Sequence, residues 1–104
     1  MPTVKRRVES SYEATFVRRV EHLGLRAVKL QRLPGWPDRL VLLPGGNVVF
    51  CELKRPGQRL RKLQAHRRNE LERDGFMVLV IDGMPTLDAA MQLLARAIGD
   101  REAL

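Results

Sequence analysis

Three side chains near the middle of the chain have the types and spacing to share one reaction: Asp38, Glu52 and Lys54. Asp38 stands at the head of an apolar run, Arg39-Leu40-Val41-Leu42-Leu43, and Glu52 and Lys54 at the tail of another that begins at Val48. Pro44-Gly45-Gly46 separates the runs and predicts a β-hairpin with a three-residue loop. Pro44 presets φ for the first loop position, and Gly46 can take the left-handed conformation that closes such loops. That loop length sets Leu42 opposite Val48, Leu40 opposite Phe50, and Asp38 opposite Glu52. Residues directly opposite share a face, as do residues two apart on one strand. Asp38, Glu52 and Lys54 therefore project together from the open end of the hairpin, and a slip of one residue would put Leu53 beside Asp38 instead. Two adjacent carboxylates repel unless a cation lies between them. Oxygen ligands select Mg²⁺ or Mn²⁺ over zinc, and such ions take substrate phosphate as a further ligand. The chemistry this suits is phosphodiester hydrolysis, with Lys54 orienting the attacking water or stabilising the developing negative charge.

The elements that must position these groups fit one domain. The chain has 104 residues, 44% of them hydrophobic, enough for one core. A net charge of +7 points to a polyanionic partner, nucleic acid before membrane surface. The single cysteine, Cys51, excludes an intrachain disulfide and a multi-cysteine zinc site, and its apolar surroundings predict core packing. His22 and His66 lack ligand-spaced neighbours, which argues against a histidine metal site. No apolar run approaches membrane-spanning length and no signal peptide is visible, so a soluble, cytoplasmic protein is expected.

Along the chain, residues 1–8 read as a loose basic arm carrying Lys5, Arg6 and Arg7, and residues 9–98 as a single domain. A helix is predicted from about Glu9 to Leu23, with Tyr12, Phe16, Val20 and Leu23 as its buried stripe and Gly24 as its stop. Glu13 borders that stripe, and its position alone leaves open whether it serves the site or only reaches solvent. Residues 25–32 alternate as a half-exposed strand, and two prolines and a glycine force a loop before the hairpin. Trp36 in that loop is expected to plug the edge of the core. A second helix is predicted from Gln58 or Arg59 to Asp74, with Leu60, Leu63 and Leu71 inward and Gln64 looking toward the hairpin's open end. Its other surface carries Arg59, Arg61, Lys62, His66, Arg67, Arg68 and Arg73, a density of charge that suggests phosphate contact. Phe76–Ile81 reads as a central or parallel strand, Thr86 as the cap of a last helix, and residues 99–104 as a polar tail. The order is α-β-β-β-α-β-α around a mixed sheet, an α/β fold.

A Glu-X-Lys at a strand end is a weak signal by itself. Here Gly35-Trp36-Pro37-Asp38 precedes one strand, Pro44-Gly45-Gly46 follows it, Glu52-Leu53-Lys54 ends the next, and Gln64 lies on the following helix. Together with Glu13 on the first helix, this resembles the PD-(D/E)XK (restriction-endonuclease-like) superfamily. More closely it is similar to the VRR-NUC family, the virus-type replication–repair nucleases, in its small standalone form from phages and bacteria. The resemblance implies Asp38 and Glu52 as metal ligands, the backbone carbonyl of Leu53 completing the shell, and Lys54 as the catalytic lysine. It also implies Glu13 as the first-helix glutamate, supporting a second ion or orienting water, and Gln64 as an aid to the site or the scissile phosphate. Trp36 departs from the small aliphatic residue usual at its position. The implied substrate is DNA, often branched. Cutting both strands with one site per subunit calls for two copies, so a C2 homodimer is expected. Competing readings are a non-catalytic basic nucleic-acid-binding module, a nuclease acting on plain duplex or flap ends, and a subunit docking an acidic protein.

Overall fold

The computed structural model describes residues 4–55 and 59–103, with side-chain placement for 12–55 and 59–99. The elements are α1 (Val4–His22), β1 (Arg26–Lys29), β2 (Arg39–Leu42), β3 (Val48–Leu53), α2 (Lys62–Arg73), β4 (Met77–Ile81) and α3 (Met84–Ala103). This is the expected α-β-β-β-α-β-α order. The four strands form one mixed sheet in the order β1-β2-β3-β4. β1, β2 and β3 are antiparallel neighbours, and β4 runs parallel to β3. β4 is thus the parallel strand expected, but it lies at the sheet's edge and not at its centre.

The two-residue periodicity of the strands sorts their side chains between two cores. Val41, Val49, Cys51 and Ile81 face α1 and α3, where they pack with Phe16, Val20, Leu87 and Leu94. Leu40, Val48, Phe50 and Val78 face α2, where Leu71 and Trp36 close a smaller cluster. Trp36 plugs that cluster as expected, its ring centroid 5.9 Å from that of Phe50. Cys51 is fully buried, and burial pushes its thiol up to about 12, which leaves it an inert core residue.

Several boundaries differ from those the sequence suggests, each for a local reason. α1 begins at Val4, inside the segment read as a loose arm, because neither glycine nor proline interrupts the chain between there and Gly24. Residues 1–3 lie outside the described residues, as do the side chains of Lys5, Arg6 and Arg7. At the other end α3 runs to Ala103 through the expected tail, since one glycine, Gly99, weakens a helix without ending it. α2 starts at Lys62, later than expected, because Arg61 is still extended at φ −70°, ψ 160°. Gln58, the earlier of the two expected starts, is outside the described residues. Thr86 does not cap α3 but sits in its first turn. Its hydroxyl accepts from the Asp82 N–H at 2.9 Å and lies 3.0 Å from the Asp82 carboxylate, tying β4 to the helix start.

Candidate active site

The hairpin has the register that the loop length demands. Leu42 pairs with Val48, Leu40 with Phe50 and Arg39 with Cys51. Beyond Leu42, the Leu43 N–H donates to the Asn47 carbonyl at 2.8 Å, so the loop is Pro44-Gly45-Gly46. Gly45 and Gly46 both take positive φ, at 88° and 83°. Asp38 and Glu52 are thereby set opposite one another at the end of the paired segment.

Asp38 is fixed from both sides. Its carbonyl accepts from the Leu30 N–H at 2.9 Å on the β1 side. Its Oδ2 accepts from the Leu53 N–H at 2.8 Å on the β3 side. Glu52 is only 3% exposed, although it is ionisable. Burial, a hydrogen bond with Asp38 and the Asp38 charge together push its carboxyl up to about 8, and the Lys54 ammonium opposes them only in part. Lys54 Nζ lies 3.9 Å from Glu52 Oε1, and its side chain is 9% exposed. Its backbone is anchored by an N–H bond to the Ile81 carbonyl at 2.7 Å. The carboxyl pair and the lysine thus meet as the sequence predicts.

These groups line a polar cleft of about 250 Å³ together with Tyr12, Glu13, Arg61 and Gln64. Gln64 makes two contacts from the first turn of α2. Its Oε1 accepts from the Arg61 N–H at 2.9 Å, and its Nε2 points to Glu52 Oε1 at 3.5 Å. The glutamine therefore joins the start of α2 to the buried carboxyl. Gln64→Glu preserves the acceptor for Arg61 and removes the donor to Glu52. Its new carboxyl beside Glu52 is expected to destabilise the metal-free fold by repulsion, whereas Gln64→Ala loses only the cap, about 1 kcal/mol in urea titration.

Glu13 lines the same cleft from α1, but its carboxylate is engaged by a residue that the sequence did not single out. Arg39 donates to Glu13 Oε2 from Nε at 3.0 Å and from Nη2 at 2.7 Å. Its Nη1 donates to the Ala27 carbonyl at 3.0 Å. Arg39 pairs with buried Cys51, so it projects to the face that α1 covers. A cation on an otherwise apolar face needs an acid from the covering helix, and that was the available signal. Arg39→Gln leaves a half-buried carboxylate with weaker partners. An expected loss of about 1–3 kcal/mol is measurable by urea unfolding. Among the described residues no three acidic, histidine or cysteine side chains are grouped closely enough to hold a metal.

The basic surface of α2 is less uniform than its sequence suggests. His66 and Arg67 both face Glu70, at 3.5 and 2.6 Å, and Arg68 lies 3.5 Å from Glu72. Arg67 also stacks over the Trp36 ring at 5.1 Å. The acids one turn on partly neutralise these cations. Arg59, Arg61 and Lys62, at the cleft end of the segment, are exposed, and Arg61 lines the cleft itself. Leu63, expected inward, is 48% exposed.

No family model matches the sequence. A curated relative, "Putative nuclease p44" of Acyrthosiphon pisum secondary endosymbiont phage 1, is 37% identical over 76 residues, which cover 71% of this chain and 82% of that protein. A solved structure described as a VRR_NUC domain is similar at a TM-score of 0.70 and 25% identity, over 81% of this chain and 94% of that one. The chain belongs to the VRR-NUC family. The mixed sheet and three helices are those of the PD-(D/E)XK-like fold that the motif implied. In this VRR-NUC chain Asp38, Glu52 and Lys54 are gathered in one cleft. Among the described residues no helix is long and apolar enough to cross a membrane.

Proposed function

We propose that this VRR-NUC chain is a divalent-metal-dependent endonuclease that hydrolyses phosphodiester bonds in branched or junction DNA, acting in the cytoplasm as a homodimer. The observation that carries this reading is the convergence of Asp38, Glu52 and Lys54 in one polar cleft at the end of the β2–β3 hairpin.

The donor set fits a hard divalent ion. Two carboxyls meet, one almost wholly buried, and burial beside Asp38 favours the protonated form of Glu52. A bound cation relieves the same repulsion as that proton and satisfies both groups as carboxylates. Asp38 and Glu52 would hold Mg²⁺ or Mn²⁺, with the Leu53 carbonyl as the backbone ligand that the family implies. When bound, the ion supplies charge to polarise the scissile phosphoryl group and to acidify a water.

The remaining work belongs to the protein's own groups. Lys54, shielded and held beside Glu52, can donate to the attacking water or to a phosphoryl oxygen as negative charge develops. Gln64 fixes the orientation of Glu52 and brings the start of α2 to the cleft. Glu13, held by Arg39 at the rim, offers an acceptor for water on the α1 side. Arg59, Arg61 and Lys62 supply phosphate contacts that set affinity without reading sequence. Two copies related by a twofold axis would cut both strands.

A digest of labelled duplex and branched DNA with Mg²⁺, Mn²⁺ or chelator tests the proposal. Products are expected only with metal, and Asp38→Asn is expected to abolish them while retaining DNA binding. Binding without cleavage under every metal would leave a basic binding module as the better account.

A further inference from the structure

Two leucines that the chemistry does not use stand exposed in the segments that lead to Asp38 and Gln64. Leu33 is 46% exposed and Leu63 is 48% exposed. They belong to adjoining elements. A turn from Leu33 to Trp36, closed by the Trp36 N–H to the Leu33 carbonyl at 3.1 Å, carries Gly35 against α2. A Cβ built on Gly35 would fall 2.5 Å from Leu63 Cγ, so only a glycine admits this contact, and its φ of 79° requires one as well. The turn is entered through Arg32, the one described residue other than glycine with positive φ, at 58°. Backbone strain at this point fixes the presentation of the loop.

The position of the pair identifies what it meets. Leu63 lies on α2 between Arg61 and Gln64, and both of those line the cleft. Exposed Arg32, Arg59, Arg61 and Lys62 accompany the two leucines in these same segments. An apolar protein partner would bring no charge to answer those cations. Nucleic acid brings both chemistries, phosphates for the cations and base faces for the leucines. In continuous duplex the base faces are reached only at the cost of unstacking, whereas at a branch point they are exposed or easily separated. Apolar wedges enter base steps by partly unstacking them, and the cost of doing so is least where stacking is already lost.

We infer that Leu33 and Leu63 form a wedge that contacts unstacked bases at a DNA branch point and so sets the preference for branched over continuous DNA. The inference rests on the nuclease reading and assigns its substrate selection to these two side chains. Neither belongs to the catalytic cleft, so loss of the wedge leaves cleavage of plain duplex intact.

The test uses a three-way junction and a continuous duplex, each with 2-aminopurine at the same position, titrated with protein in chelator so that no strand is cut. Wild type is expected to raise the fluorescence of the junction and not of the duplex. Leu33→Ser/Leu63→Gln is expected to lose that rise and about tenfold of its preference for the junction, while duplex binding and its salt dependence persist. Leu33→Met/Leu63→Met, which keeps the surface apolar, is expected to behave as wild type and guards against a folding defect. A fluorescence rise that survives in the Ser/Gln variant overturns the wedge. A change of oligomeric state in that variant by light scattering also overturns it, because the surface then joins two copies of the chain. Metal-dependent duplex cleavage, measured in parallel, shows whether the nuclease reading stands apart from either result.

Discussion

Lys54→Ala is expected to lower the cleavage rate by about 10²–10³-fold while changing DNA affinity little, measured as single-turnover cleavage beside equilibrium binding. The asymmetry follows from where the lysine sits. Its side chain is 9% exposed and its Nζ is 3.9 Å from Glu52 Oε1, so it is not positioned to grip the outside of a duplex. The exposed cations Arg59, Arg61 and Lys62, proposed above as the phosphate contacts, are untouched by the change. A charge held in a shielded cleft acts most strongly where new charge develops, in the transition state. Lys54→Arg is not a conservative rescue, since a planar guanidinium cannot take the place of the shielded ammonium beside Glu52. It is expected to recover little activity. Equal losses of binding and cleavage would make Lys54 an ordinary phosphate contact.

Much of this geometry was legible in the sequence because one short feature determines it. The three-residue loop fixes the hairpin register, and the register places Asp38 opposite Glu52 with no freedom left. The apolar, β-branched composition of β3 likewise reveals a central strand covered on both faces, whereas the same composition in β4 belongs to an edge strand. Helix ends were less legible, for reasons visible at particular residues. The start of α2 depends on Gln64 reaching back to the Arg61 N–H, a contact that competes with continuing the helix toward Arg59. Residues 99–104 read as a polar tail, but nothing in them opposes continuing α3. Arg39 is not legible as a site residue because it serves the hairpin face opposite that of Asp38 and Glu52, where it holds Glu13. Within the basic stripe of α2, pairs across one helical turn, Arg67 with Glu70 and Arg68 with Glu72, offset part of the charge.

The buried carboxyl makes the stability of the metal-free protein depend on pH in a direction unusual for an acid. In the unfolded chain Glu52 gives up its proton near its ordinary value of 4.5, and in the folded chain it keeps the proton to about 8. Between those values unfolding releases a proton, so raising the pH favours the unfolded state. The contribution is whole below pH 4.5, drains away across the window, and is gone once the pH passes about 8. For this one group the slope reaches about 1.4 kcal/mol per pH unit. In chelator, the melting temperature of wild type is therefore expected to fall between pH 5 and 8, and Glu52→Gln, neutral throughout, is expected to remove most of that fall. Saturating Mg²⁺ or Mn²⁺ reverses the trend, because the ion must displace the proton shared with Asp38 and so binds more tightly as the pH rises. Glu52→Gln is expected to lose the stabilisation by metal as well as the slope, which separates a carboxyl that holds the ion from one that is merely buried. Parallel pH profiles for wild type and Glu52→Gln in chelator would show that the carboxyl pair is not sharing a proton. The case for a cation between Asp38 and Glu52 would then lose its electrostatic ground.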